Sequence, residues 1–96
     1  MRNNIMKHGT QEYNTVSLGQ NVVVLTSGFV YVGLVHESPD RVFITQASNI
    51  RKSGTTRGFG ELRTGPTKTT VLDPCGTLVC PKTSLHHYIP CSGFVQ

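Results

Sequence analysis

The residues of this chain that are best suited to chemistry lie between positions 51 and 70. That stretch holds five of the nine basic residues, one acid (Glu61), four of the ten glycines and seven serines or threonines. Basic side chains attract anions, hydroxyl groups donate hydrogen bonds, and glycine lets a ligand approach backbone N–H groups closely. The composition therefore predicts a site for a phosphate group or another anion.

Three kinds of side chain make up the predicted ligand-binding set. Arginine and lysine would contact phosphate groups, threonine would donate further hydrogen bonds, and rings would stack on a nucleobase. The set is Arg51, Lys52, Arg57 and Lys68 for charge, Thr55, Thr56 and Thr69 for hydroxyl groups, and Phe59, His86 and Tyr88 for stacking. The competing interpretation is a solvated basic surface, but the excess of basic over acidic residues favours binding.

The run at 60–69 imitates the phosphate-binding loop of nucleotide hydrolases but departs from it in spacing. Pro66 and Thr67 separate Gly65 from Lys68, and proline has no backbone N–H to donate. The pattern also lacks the strand–loop–helix context that such a loop needs. The sequence therefore predicts an anion site of another kind.

Three cysteines and a histidine form an alternative zinc set, which consists of Cys75, Cys80, Cys91 and His86. Their spacing is not that of a zinc finger, and neighbouring residues of a strand point to opposite faces, so His86 and His87 could not both join. The competing interpretation is that the thiols are small buried hydrophobic groups. We predict no metal ion and no other cofactor.

Catalytic machinery is hard to assemble from this sequence. No two of the carboxylates are spaced for acid–base catalysis. A nucleophile made of Cys80 or Cys91 with His86 lacks an evident oxyanion donor and an orienting acid. We therefore predict a binding protein and not an enzyme.

The strands that must position these residues are marked by β-branched runs. Residues 22–25, 29–36 and 41–45 are predicted strands of a three-stranded antiparallel meander, joined by turns at 26–28 and 37–40. Residues 18–21 are predicted as the turn that enters the first strand.

Beyond residue 50 the pattern is less regular. One helical turn is predicted at 59–63 with Leu62 inward, short strands at 71–72 and 78–79, and a further strand at 85–89 with Leu85, His87 and Ile89 on one face. The predicted fold class is all-β: a small SH3-like or Sm-like five-stranded barrel with at most one short helical turn. The barrel is expected over residues 18–96, after an N-terminal arm at 1–17. For the second half of this arm, a loose segment and an edge strand are both open.

Size and charge limit the possible partners. Ninety-six residues with 36% apolar content and no Trp make one domain with a small core, so we expect a homo-oligomer in which a partner subunit completes the burial. The net charge of +4 and the isoelectric point of about 9.3 favour anionic partners. No apolar run predicts a membrane helix or a signal peptide, and the cysteine count is odd, so we expect a cytoplasmic protein with reduced thiols and no membrane partner.

Several motifs follow one another in the middle of the chain. In order they are the strand at 22–25, Gly28 and Gly33, Val-Phe-Ile-Thr-Gln-Ala at 42–47, the basic pair Arg51-Lys52 and Gly-Phe-Gly-Glu-Leu at 58–62. This order, over about half of the chain at 18–65, resembles a family of small, uncharacterised phage-encoded β-barrel proteins. The chain departs from the family pattern at Ser53, where Trp is expected, and after Leu62, where Ala is expected. The resemblance implies a phage origin, a small barrel and the cytoplasm of an infected bacterial host, and it carries over no catalytic residue.

Three functions stay open at this point. The first is a non-enzymatic phage protein that binds a phosphate-bearing small molecule, such as a nucleotide or cyclic-nucleotide immune signal sequestered in a pocket between subunits. The second is nucleic-acid binding by the same basic surface, which small barrels achieve with charge and stacking. The third is a structural or protein-interaction role, as a virion part or an inhibitor, for which the basic residues would be incidental.

Overall fold

The computed structural model describes residues 3–95, and side chains from Ile5 onwards. The predicted N-terminal arm begins two residues before this range, and the predicted barrel domain ends one residue after it; those three residues lie outside the described part. The strands are β1 (Asn3–His8), β2 (Gln11–Leu25), β3 (Val30–Glu37), β4 (Arg41–Lys52), β5 (Val71–Pro81) and β6 (Leu85–Pro90). A 3-10 helix spans Phe59–Thr64, and a 3-10 turn spans Lys82–Ser84. The predicted helical turn and the all-β class are confirmed.

All strand pairs are antiparallel, in the order β1–β2–β3–β4–β5. Strand β6 pairs with the second half of β2, whereas β1 pairs with its first half. Both therefore lie on the side of β2 that faces away from β3. Within residues 3–95, β5 and β6 do not pair with each other, so the sheet is open and a closed five-stranded barrel is not confirmed.

The predicted meander corresponds to β2, β3 and β4, but β2 is much longer than expected. It runs through residues 18–21, where a turn was predicted. A bulge between Ser17 and Gly19 is accommodated there, with Gly19 at a positive φ of 74°. The polar first half of β2 pairs with β1 over residues 11–16, and β3 joins only from Val16 onwards. The ladder with β1 supplies the backbone hydrogen bonds that the side-chain pattern of this half does not predict. The turn prediction is therefore wrong.

Strand β5 is continuous where two short strands were predicted. Asp73 and Pro74 lie inside it and do not end it. Pro74 is exposed, and β4 is the one described partner of β5, so the missing N–H of proline is tolerated on this outer strand. Register shifts on both sides of Ala47, which pairs with Gly76, bend this ladder.

A register shift also alters β6. It falls between the pairs that Val24 and Leu25 make with this strand, so Leu85 and Tyr88 pack against one face of the sheet and Ile89 against the other. The prediction that Leu85 and Ile89 share a face is therefore wrong.

Two hydrophobic clusters lie on opposite faces of the sheet, since the consecutive residues Val22 and Val23 belong to different ones. We call the first the strand core: Val23, Val35, Val42, Ile44 and Ala47, covered by Leu78 and Cys80 of β5 and by Leu85 and Tyr88 of β6. We call the second the loop core: Val22, Val30, Val32, Ile50 and Leu62, covered by Phe59, Leu72, Ile89, Cys91 and Phe94 among others. Across residues 3–95, no helix has the length and apolar character needed to cross a lipid bilayer.

Candidate anion-binding loop

The basic stretch forms the connection between β4 and β5, and we call residues 52–70 the cationic loop. Its 3-10 helix turns Leu62 into the loop core, where this side chain is 0% exposed. Phe59 packs against the same cluster. Burial of these two apolar side chains anchors the loop to one face of the sheet.

A group of hydroxyl bonds holds the two ends of the loop together. The Thr67 hydroxyl donates to the Gly54 carbonyl over 2.8 Å, and the Thr70 hydroxyl donates to the Ser53 carbonyl over 2.7 Å. Gly54 has a positive φ of 68°, and a Cβ at this position would lie 2.6 Å from the backbone nitrogen of Thr70. Only glycine fits this close approach, which brings the segment around Lys68 beside the start of the loop.

The one acid of the loop is turned inward onto its backbone. Glu61 Oε2 accepts a hydrogen bond from the Thr56 N–H over 3.0 Å and another from the Arg57 N–H. Successive N–H groups of this kind form an anion-binding concavity. Here the Glu61 carboxylate fills it, so the anion site of the backbone already holds an anion from the same chain.

Arg51 differs from the other cations of the basic stretch because it has an acidic partner, Asp73. Its Nε lies 2.9 Å from Asp73 Oδ2 and its Nη2 lies 3.3 Å from Asp73 Oδ1, across the β4–β5 ladder. This two-point geometry is the one in which Arg pairs best with a carboxylate.

Four exposed cations remain on the loop, and in the described part of the chain none of them has an acidic partner. They are Lys52, Arg57, Arg63 and Lys68. Arg63 belongs to the basic stretch but was left out of the predicted ligand-binding set. Its position in the last turn of the 3-10 helix, one residue after the buried Leu62, is the local signal that places it at the surface.

The predicted hydroxyl and aromatic groups have other partners. The Thr55 hydroxyl lies 3.0 Å from that of Ser53, and the Thr69 hydroxyl lies 3.4 Å from the Gly54 carbonyl. The Phe59 ring is half-buried against the loop core. The loop thus brings together Thr55, Thr56, Arg57, Phe59, Lys68 and Thr69. Of these, mainly the charged groups of Arg57 and Lys68 face solvent.

The contacts described for Tyr88 and His86 are made with residues outside the cationic loop. The Tyr88 ring packs on the strand core, and its hydroxyl donates to Glu37 over 2.5 Å. Lys82 Nζ lies 3.2 Å from the other oxygen of Glu37. Burial, reinforced by the bond to Glu37, raises the pKa of Tyr88 well above its ordinary value of 10. His86 is exposed, with its Nδ1 2.6 Å from that of His87.

The alternative zinc set is dispersed. Cys80 packs on the strand core, Cys91 on the loop core, and Cys75 is exposed. Burial raises the pKa of the Cys80 and Cys91 thiols. Over residues 3–95, no three His, Cys, Asp or Glu residues are arranged to hold a metal ion.

Two surface clefts, of about 380 Å³ and 270 Å³, lie away from the loop. The larger is lined by Asn14, Thr15, Val16, Glu37, Ser38, Pro39 and Lys82, and the smaller by His8, Arg41, Val79, Cys80 and Pro81. Neither contains a residue of the cationic loop, so the loop presents its charges on a surface outside both clefts.

Comparison with protein-family models, curated proteins and solved structures finds no significant match to this chain.

Proposed function

We propose that the protein binds nucleic acid through the phosphate groups of its backbone, without transforming it, and that the cationic loop carries the contact. One observation carries the proposal: four exposed cations of the loop have no acidic partner in the described chain, while its one acid is turned inward. Exposed Lys and Arg side chains that replace condensed counterions on a nucleic acid gain affinity from counterion release.

The surroundings of the loop favour an extended ligand over a small enclosed one. Phe59 packs on the loop core, and the threonine hydroxyl groups bind the loop itself. The loop therefore offers charge with little stacking or base-reading capacity. Contacts of this type position a protein on a nucleic acid without selecting a sequence. A duplex has the higher charge density along its axis, so we expect it to bind more tightly than a single strand.

We also propose that the open sheet is a variant of the SH3-like barrel. The strand order β6–β2–β3–β4–β5 supports this, as does the 3-10 turn that joins β5 directly to β6. Side chains of β5 and β6 cover the same strand core although the two strands do not pair. Small barrels of this kind are frequent carriers of nucleic-acid sites.

A nucleotide held between two subunits is the second candidate. The observation that favours it is the pair of N–H groups on Thr56 and Arg57, which already bind a carboxylate. A ligand phosphate would take the place of Glu61, and a second copy of the chain would supply the pocket walls. Homo-oligomerisation, the bacterial cytoplasm, a phage origin and sequestration of an immune signal stay predictions of the sequence and of its resemblance.

The experiment measures binding of a labelled DNA duplex by fluorescence anisotropy between about 50 and 200 mM salt. The test variant is Arg57→Gln with Lys68→Gln. The matched control is Lys7→Gln with Lys82→Gln, which removes the same charge from residues that pair with Glu12 and Glu37. A mononucleotide is titrated in parallel.

For four phosphate contacts the slope of log affinity against log salt is about −3.6. We expect the loop variant to lose about half of this slope and the control to retain it. Equal loss in both variants would mean that net charge alone binds the duplex, which overturns the proposal. A salt-insensitive affinity for the mononucleotide would support the second candidate. Absence of both activities would favour the protein-interaction role.

A further inference from the structure

The C-terminal segment, residues 91–95, is fixed to the middle of β2 by one residue, Gln20. Gln20 Oε1 accepts hydrogen bonds from the Phe94 N–H over 3.0 Å and the Val95 N–H over 3.1 Å. Its Nε2 donates to the Val95 carbonyl over 2.8 Å. The Gln20 carbonyl also accepts from the Cys91 N–H over 3.1 Å. One glutamine thus satisfies four backbone groups of this segment, three through its side chain and one through its carbonyl. The segment itself belongs to no strand or helix.

The same segment also touches the cationic loop. The Ser92 N–H donates to the Arg63 carbonyl over 2.8 Å. Gly93 lies so close to the loop that a Cβ there would be 2.7 Å from the Thr64 carbonyl oxygen and 3.1 Å from the Cα of Gly65. The segment therefore packs along the end of the 3-10 helix, at the residue that carries the Arg63 cation.

The residues that flank Ser92 and Gly93 pack against the loop core. Cys91 and Phe94 cover this cluster together with Phe59 of the loop. The C-terminal segment, the 3-10 helix and β2 are thus packed around one apolar cluster. Loss of the segment would remove the Arg63 bond and part of the cover over Leu62.

We propose that Gln20 and the C-terminal segment are positioning elements for the cationic loop: they hold its cations in the arrangement that meets phosphate groups. This inference rests on the proposed function. The segment itself carries no basic residue at 91–95, so it acts through the loop and not by touching the ligand. A loop fixed before binding loses less conformational freedom when it binds, and this preorganisation raises affinity.

The test uses the full chain and two substitutions that act at different contacts. Gly93→Ala places a methyl group against the Thr64 carbonyl. Its matched control is Gly28→Ala, because Gly28 has a similarly positive φ of 96° but nothing within 4 Å of the added Cβ, against a φ of 86° at Gly93. Gln20→Met keeps the length of the side chain and removes its three hydrogen bonds. Gln20→Glu keeps the acceptor for the Phe94 and Val95 N–H groups and should restore part of the loop order.

Two readouts separate this inference from the proposed function. Hydrogen exchange of loop amides measures positioning without any ligand, and the salt slope of duplex binding measures how many phosphates are met together. We expect Gly93→Ala and Gln20→Met to speed exchange at residues 61–65, to weaken duplex binding about fivefold and to lower the slope by about one contact. Gly28→Ala should do none of these, and Gln20→Glu, judged by exchange alone because of its added charge, should lie between.

Unchanged exchange in both disruptive variants would overturn the inference whether or not the protein binds a duplex. Faster exchange with unchanged affinity and slope would overturn it as well, because the loop would then bind equally well without being held. Failure of the wild-type protein to bind a duplex would refute the proposed function, and with it the binding part of this inference. If hydrogen exchange of the loop still depended on Gln20 in that case, the C-terminal segment would order the loop without a role in ligand binding.

Discussion

The strand core and the loop core differ in what encloses them. The strand core is covered by residues that all lie in strands of the sheet. The loop core lies on the opposite face and depends on Leu62 and Phe59 of the cationic loop and on Phe94 of the C-terminal segment. One cluster is therefore enclosed by backbone that pairs in ladders, and the other by backbone that is held through side-chain contacts and single hydrogen bonds.

This difference separates stability from function. Ladder hydrogen bonds and apolar burial act together at the strand core, so its loss should unfold the sheet. The loop core also anchors the cationic loop through Leu62 and Phe59. Weaker packing in this cluster should therefore first release the loop. Low-stability elements are where binding segments are usually found. Substitutions of equal size in the two clusters should thus have unequal consequences.

The largest effect is expected for Ile44→Ala in the strand core. Ile44 is 1% exposed, and its Cγ2 occupies space next to Gly33, where a Cβ would come within 2.8 Å of it. A cavity at this position cannot close easily because both flanking strands are paired. We expect the free energy of unfolding to fall by about 3 to 5 kcal/mol in urea denaturation. The folded fraction should bind a duplex as before, and a loss below about 1 kcal/mol would contradict this description of the core.

Leu62→Ala removes a side chain of the same size from the loop core. The 3-10 helix can settle into the space because no strand fixes it, so we expect a smaller loss of about 2 to 3 kcal/mol. Unlike Ile44→Ala, this variant should weaken duplex binding under conditions where it is folded. Circular dichroism establishes the fold, and anisotropy measures the affinity. If both variants bind like the wild type, the loop core does not support the site.

Sequence reasoning succeeded where the information is local. The meander follows from β-branched runs, and the inward turn of Leu62 follows from its place in a short helical turn. It failed for residues 18–21, where a turn was predicted but β2 continues because β3 pairs with it there. No local pattern indicates such a partner.

The contacts of the candidate site also fall into local ones, which the sequence indicates, and long-range ones, which it does not. The charge of the cationic loop could be read from composition, and the contact of Glu61 with Thr56 and Arg57 spans only four or five residues. The pairing of Arg51 with Asp73 depends on the β4–β5 register, and the contact of Gln20 with Val95 joins residues 75 positions apart. Neither has a signal in the sequence.

A moderate effect is expected for Tyr88→Phe, which sharpens the distinction between the two faces. The variant removes the hydroxyl that donates to Glu37, and we expect a cost of about 1 kcal/mol, since Glu37 keeps its ion pair with Lys82. Duplex binding should be unchanged because Tyr88 packs on the strand core. A clear loss of duplex binding would mean that Tyr88 contributes to the ligand site.

The stability difference between the wild type and Tyr88→Phe should depend on pH. The pKa of Tyr88 is higher in the folded protein than its ordinary value of 10, so its stabilising effect is complete below about pH 10 and declines as the pH rises further. The difference in unfolding free energy between the wild type and Tyr88→Phe should therefore shrink above pH 10. A difference that stays constant there would contradict the raised pKa of Tyr88, which burial causes first and the bond to Glu37 second.

The smallest effects compare neighbouring cations at the end of β4. Arg51→Gln breaks an exposed pair whose side chains are 64% and 46% accessible, so the stability cost should be about 0.5 kcal/mol with little change in duplex affinity. Lys52→Gln should leave stability unchanged and lower the salt slope by about one contact. A lower salt slope for Arg51→Gln and an unchanged slope for Lys52→Gln would mean that Arg51 leaves Asp73 and binds the ligand.

The most direct test of the account is the salt dependence of duplex binding by the wild type and by Arg57→Gln with Lys68→Gln. The account predicts a slope of about −3.6 for the wild type and about −1.8 for the variant, with the slope of the Lys7→Gln and Lys82→Gln control unchanged. A wild-type slope near zero, or the same slope in all three proteins, would contradict the claim that the cationic loop binds phosphate groups.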